Sequence, residues 1–314
     1  MQKAFFRTIL GDIPLDNLGI VLPHEHLFTD LRGPEVEDYA QADPKNVAAT
    51  MIPYLKAAEQ AGVTALIECS TIGVGRNIDI LRELAARTRI HIIAPTGIYK
   101  ESYTPAIYKA QSIDEMADLW ILELTKAIGM TNTKAGFIKI ALSDDGPTPL
   151  EIRNIRAAAQ ASKETSATIA SHTIGGKAAL EEMSILSDEG LELEKFVWVH
   201  ASSEVNPLFH HDVAAAGAYV EFDSIGAPDV DPEVLSTGVI SMIEAGLEER
   251  VLLSHDAGWF QPGNPGGIPK GGIRGFTTLT GQFIPLLKEK GVGDDMIRLL
   301  TEENPQRAFA MQYR

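Results

Sequence analysis

Four histidines, one lysine and one aspartate stand at positions where they could hold divalent metal ions. His24 and His26 are two residues apart in GIVLPHEHLF. On an extended segment that spacing turns both imidazoles to the same side. His172 follows ATIAS, His200 follows FVWV, and Asp256 follows VLLSH. Neutral imidazoles with a carboxylate suit zinc, or else cobalt, manganese or iron, and argue against calcium and against thiolate-bound copper. These are more ligands than one ion needs. The surplus points to two ions sharing a bridging ligand, an arrangement that clamps the attacking and the leaving oxygen of a hydrolytic displacement. Lys139 lies inside the apolar run GFIKIA, where an unpaired ammonium is costly. It needs a buried carboxylate, such as Asp144 or Glu68, or a modification. A buried amine that has lost its proton can take up carbon dioxide, and the resulting carbamate has one oxygen for each of two metals.

Short apolar runs must position these residues. Strands are predicted at residues 19–23 (GIVLP), 64–69 (TALIEC), 91–95 (HIIAP), 136–141 (GFIKIA), 167–170 (ATIA), 196–199 (FVWV), 218–222 (AYVEF) and 251–254 (VLLS). Helical periodicity fills most of the gaps, at 46–61, 78–88, 150–165, 176–189 and 232–245. Eight alternations predict a (β/α)8 TIM barrel, in which chemistry collects at the C-terminal ends of the strands. An open doubly wound sheet would carry a glycine-rich phosphate loop after its first strand, where this chain has VLPHEH. Residues 5–17 are expected to form a cap or hairpin before the barrel, 261–275 an irregular loop after the eighth strand, and 294–313 a closing helix pair.

Taken singly, an HxH pair is a weak signal, and His172 or His200 alone reads as a core histidine. Their joint placement within two or three residues of strand ends is what independent structural roles would not produce. The other histidines contrast with them. His91 opens a strand and belongs to the opposite face, His210 and His211 fall around a helix start, and His255 should point away from the metals or orient a ligand. Cys69 reads as packing near the mouth, since no activating base is evident.

With 314 residues, 45% of them hydrophobic, the chain has enough material for one barrel domain spanning 1–314. Its formal charge of −16 disfavours nucleic-acid and anionic-membrane partners, which need a basic footprint. A single cysteine excludes an intramolecular disulfide. No basic leader with an unbroken apolar run opens the chain, and no segment offers the ~18 apolar residues of a membrane span. A cytoplasmic enzyme acting on a small molecule is expected.

The stretches GIVLPHEHLF, IECSTIGVGRNIDIL, APTGIY, GFIKIA, SHT, VHAS, LLSHD and ENPQRAF resemble, across nearly the whole chain, the phosphotriesterase family of the amidohydrolase superfamily, including its phosphotriesterase-like lactonases. The resemblance implies that His24, His26 and Asp256 hold a more buried metal and His172 and His200 a more exposed one, with carboxylated Lys139 bridging them. It also implies a homodimer, and a mechanism in which Asp256 accepts or shuttles a proton while Tyr99 orients the substrate or leaving group. Many of the lactonases carry an arginine after the aspartate that ends the seventh strand; here Asp223 is followed by Ser224, which argues against an acyl-homoserine-lactone substrate. Lys100, Lys270 and Arg274 would place three positive charges around the mouth and suit an anionic substrate such as a phosphorylated or acidic sugar lactone. The function implied is lactone hydrolysis with promiscuous phosphotriesterase activity. A phosphotriesterase proper or an amide hydrolase is the enzymatic alternative, and a metal-binding barrel without catalysis is the non-enzymatic one.

Overall fold

The computed structural model describes residues 4–15 and 18–312. The last two residues of the expected N-terminal cap, 16 and 17, and the last of the expected closing helices, 313, lie outside them. A hairpin of β1 (Ala4–Thr8) and β2 (Gly11–Pro14) precedes the barrel. The barrel strands are β3 (Ile20–Glu25), β4 (Val63–Glu68), β5 (His91–Ile93) with β6 (Pro95–Gly97), β7 (Phe137–Ala141), β8 (Ile169–His172), β9 (Phe196–Val199), β10 (Tyr219–Phe222) and β11 (Val251–Leu253). All their ladders are parallel. β5 and β6 are two halves of the third strand, interrupted at Ala94, so eight strand positions are filled among the described residues. The ring closes where the His26 amide donates to Ala257 O at 2.8 Å and the Asp256 amide to His24 O at 3.2 Å, joining the ends of β11 and β3.

The helices between strands are α1 (Pro44–Gln60), α2 (Ile78–Ala85), the single turn α3 (Ala106–Lys109), α4 (Ile113–Thr125), α5 (Pro149–Thr165), α6 (Gly176–Asp188), α7 (Pro207–Ala215) and α8 (Pro232–Glu244). Their starts follow from local chemistry. Ser112 with Glu115 and Thr148 with Glu151 form reciprocal capping boxes, and Pro44, Pro149, Pro207 and Pro232 sit in first turns, where a missing N–H costs nothing.

Strand alternation divides the core in two. Phe137, Ala170, Val197 and Leu252 pack inside the barrel, whereas Ile138, Ile140, Val220 and Phe222 face the helices. Lys139 shares the face of Phe137 and therefore points into the barrel. β8 runs to His172, two residues beyond the expected end, because the ladder with β7 continues through Ala141 paired with His172. Gly97, at φ +103°, faces that same β7: a Cβ there would overlap the Lys139 carbonyl oxygen. Gly97→Ala should destabilise the protein by about 3 kcal/mol or more. Chemical denaturation would measure this; a loss below about 1 kcal/mol would mean that the two strands can part freely.

The closing segment departs from a helix pair. α9 (Ile284–Glu289) follows a π-helical turn at Leu279–Phe283, and α10 (Asp294–Arg298) runs through a second one, Leu299–Glu303, into α11 (Asn304–Phe309). Pro285 and Pro305 each stand two residues past such a turn, and the wider winding accommodates a residue that has no N–H to donate. Finally β12 (Met311–Gln312) pairs antiparallel with β1. No helix among the described residues is long and apolar enough to cross a membrane.

Candidate metal centre

His24, His26, Lys139, His172, His200 and Asp256 line one cleft, together with Tyr99, Cys69 and Trp259. His24 Nε2 lies 3.3 Å from His26 Nε2, and Asp256 Oδ1 lies 3.6 and 3.2 Å from these two nitrogens. One ligand atom each from His24, His200 and Asp256 falls within 4.8 Å of the others. The imidazole rings of His172 and His200 meet at 4.4 Å between centroids. Two backbone positions are strained to achieve this, His200 at φ 65° and Asp256 at φ 50°. Such values for residues other than glycine cost free energy and cluster at functional sites.

The residues behind the imidazoles show which nitrogens are free. Asp223 Oδ2 accepts from His24 Nδ1 at 3.0 Å, from His200 Nδ1 at 2.9 Å and from the His200 amide at 2.8 Å, while Ser202 Oγ donates to Oδ1 at 3.0 Å. His26 Nδ1 is 2.8 Å from Ser70 Oγ. With Nδ1 carrying the proton, each Nε2 of His24 and His26 presents a lone pair to the cleft. Two lone pairs and a carboxylate oxygen this close repel one another unless a cation lies among them. The donor set therefore fits a metal. Lys139 adds to the case: its side chain is 2% exposed and its Nζ has no hydrogen-bond partner among the described residues. Neither carboxylate considered for it serves, since Asp144 is exposed to solvent and pairs with Lys100, and buried Glu68 accepts from the amides of Leu27 and Ser70.

Electrostatics agree with neutral ligands on the buried side. Burial, with Lys139 nearby, lowers the His24 pKa to about 3. Burial and the neighbouring His200 push His172 well down. At His200 burial acts downward too, but Asp223 outweighs it and the value rises. Burial opposes ionisation of Asp256, yet His24 and His26 hold its carboxyl well below the ordinary range. The Tyr99 hydroxyl, 3.2 Å from His172 Nδ1, is raised by burial and then by Asp256.

Asp223, Glu221 and Glu25 had not emerged as site residues from spacing. Glu221 Oε2 lies 3.2 Å from His24 Nδ1, and burial with Asp223 alongside pushes its carboxyl well up. Glu25 faces away from its two neighbours and holds His255 Nδ1, Ser254 Oγ and the Ala257 amide. The signal for Glu25 lay in the HEH motif itself, because the middle residue of an extended triplet must face the opposite way. His255 accepts from the Leu279 amide on its other nitrogen at 2.9 Å and so points away from the cleft. Asp223→Asn should weaken metal binding about 10- to 100-fold by releasing two imidazoles. Competition with a chromogenic chelator reads this out, and unchanged affinity would show that Asp223 does not orient them.

At the rim the three cations differ. Lys100 is paired with Asp144 at 2.6 Å. Arg274 is spent on structure, its Nη2 donating to the carbonyls of His255 and Asp256. Lys270 is exposed on the loop. Cys69 is buried, and burial raises its thiol well above the ordinary value, which suits packing and not nucleophilic attack. Trp259, at φ 72°, packs against the His26 ring at 4.8 Å between centroids with the planes tilted by 52°, and it donates from Nε1 to Asp256 O at 3.0 Å, forming a fixed apolar wall.

The model of the phosphotriesterase family matches residues 4–309. An aryldialkylphosphatase from Saccharolobus solfataricus is 31% identical over 303 residues, covering 94% of this chain and 96% of its own. A phospho-furanose lactonase from Mycoplasmopsis synoviae is 27% identical over 331 residues, covering 99% and 93%. Among solved structures, a mutant of a phosphotriesterase-like lactonase from Deinococcus radiodurans superposes with a TM-score of 0.89 at 26% identity, over 97% of this chain and 99% of that one.

Proposed function

The chain belongs to the phosphotriesterase family of the amidohydrolase superfamily, and we propose that it is a binuclear-metal-dependent hydrolase of lactones with weaker, promiscuous hydrolysis of organophosphate triesters. The observation that carries this reading is the convergence of His24 Nε2, His26 Nε2 and Asp256 Oδ1 in one cleft with a buried Lys139 Nζ that has no hydrogen-bond partner among the described residues. His24, His26 and Asp256 would hold the more buried ion, His172 and His200 the more exposed one, and Lys139, carboxylated on Nζ, would bridge them. Zinc suits these ligands best. Two ions there would supply Lewis-acid polarisation of a carbonyl or phosphoryl oxygen and a lowered pKa for attacking water.

The chain's own groups complete the chemistry. Asp256 Oδ1 reaches the cleft with no hydrogen-bond donor committed to it among the described residues, and it can take the proton that water releases on attack and return it to the leaving alkoxide. The Tyr99 hydroxyl keeps its proton and can orient the leaving alkoxide of an opened lactone by a hydrogen bond. Trp259 and Leu31 line the cleft and limit water. The proposal includes a single hydrolase domain, a cytoplasmic location and a homodimer. A lysine among the candidate ligands and a carboxylate facing an open cleft favour catalysis over a closed structural site.

A pH-indicator screen on zinc-loaded protein compares kcat/KM across lactones, paraoxon-like triesters and N-acyl amino acids. Lactones should lead. A higher value for triesters or amides would move the function to those bonds.

A further inference from the structure

One ion pair at the cleft rim is exposed very unequally. Lys100 Nζ lies 2.6 Å from Asp144 Oδ1, yet the lysine side chain is 14% exposed and the aspartate's 64%. Lys100 follows Tyr99 directly, its ammonium 5.9 Å from that ring's centroid. Asp144 Oδ1 is 4.0 Å from His172 Nε2. The pair therefore sits one residue outward from the reacting centre.

Both backbones flanking the pair are anchored by one buried carboxylate. Glu151, at the start of α5, accepts from the Glu101 amide at 3.0 Å, the Ser143 amide at 3.0 Å and Ser143 Oγ at 2.8 Å. Residue 101 follows the lysine and residue 143 precedes the aspartate. The ammonium is thus held in place by its loop and by the Tyr99 face, whereas the Asp144 side chain projects past its anchor into solvent. A carboxylate that is already largely hydrated loses little when it swings away. A half-buried ammonium left behind needs another anion.

We propose that Lys100 binds an anionic group of the substrate, a carboxylate or a phosphate, and that Asp144 occupies its place until the substrate arrives. The substrate class is then a molecule with a hydrolysable bond at one end and an anion at the other. In a chain of net charge −16, a bound anion must be drawn by a local cation, and Lys100 lies over Tyr99 and holds the carboxylate that stands 4.0 Å from His172 Nε2. Phosphate, with more charge and more acceptor oxygens than Asp144, makes the stronger charge-assisted contact.

The orientation of the substrate rests on the hydrolase reading above; anion binding at Lys100 does not. The test is calorimetric titration of inorganic phosphate into the full chain, metal-loaded and metal-stripped, for wild type, Lys100→Met and Asp144→Asn. Lys100→Met should weaken phosphate about tenfold or more, and Asp144→Asn should tighten it about tenfold, in both metal states. In kinetics, the ratio of KM for a neutral lactone to KM for its phosphate- or carboxylate-bearing analogue should fall in the first variant and rise in the second. Whichever analogue shifts more identifies the anion. Phosphate binding that is unchanged in Lys100→Met, or unchanged or weaker in Asp144→Asn, overturns the proposal. Shifts in binding as expected with no lactone turned over would leave the anion site standing and remove the lactonase reading instead.

Discussion

Lys139→Met should cost activity on the order of 10³-fold or more in kcat/KM while making the metal-free fold more stable. Methionine fills nearly the same space and has no charge to bury. In the metal-free protein the Lys139 amine lies inside the barrel with no hydrogen-bond partner among the described residues, so its removal should stabilise that state by about 1–3 kcal/mol. Metal content should fall below two ions per chain, because the bridging oxygens exist only on a carboxylated amine. A lysine with a merely structural role behaves oppositely: its replacement lowers stability and leaves metal content alone. Denaturant unfolding of stripped protein, set beside metal analysis of loaded protein, separates the two.

Asp256→Asn is expected to have the second largest effect, and its size should depend on the leaving group. The asparagine oxygen keeps a lone pair toward His24 and His26, so metal content should stay near two ions per chain. What disappears is the group that takes water's proton and hands it to the leaving alkoxide, a role that contributes about 10²- to 10⁴-fold in rate. Aliphatic lactones, whose alkoxide must be protonated as it leaves, should lose on the order of 10³-fold. Esters with a nitrophenol leaving group need no such proton and should lose only about tenfold. Equal losses on both substrates, accompanied by loss of metal, would reduce Asp256 to a ligand.

The candidate ligands were legible as one cluster in the sequence because each stands at or near the end of a short apolar run, and in a parallel barrel those ends meet. His24, His172, His200 and Asp256 needed no knowledge of pairing to be placed on one mouth. Their supports were hidden for the opposite reason. Asp223 lies 199 residues from His24, and nothing in linear spacing tells which imidazole a strand-end carboxylate will face. Rim charges suffered the same limit: counting Lys100, Lys270 and Arg274 gives three cations, but Arg274 is engaged by backbone carbonyls and Lys100 by Asp144. Element ends were blurred where ladders override composition, as in β8, and where π-helical turns let Pro285 and Pro305 continue a helix that their ring would otherwise break.

The most direct measurement is metal analysis of the chain purified with zinc and bicarbonate, run alongside Lys139→Met prepared identically. Two ions per wild-type chain and fewer in the variant is the result expected of a centre bridged through Lys139. No bound metal in the wild type, or a content that Lys139→Met leaves unchanged, would contradict it.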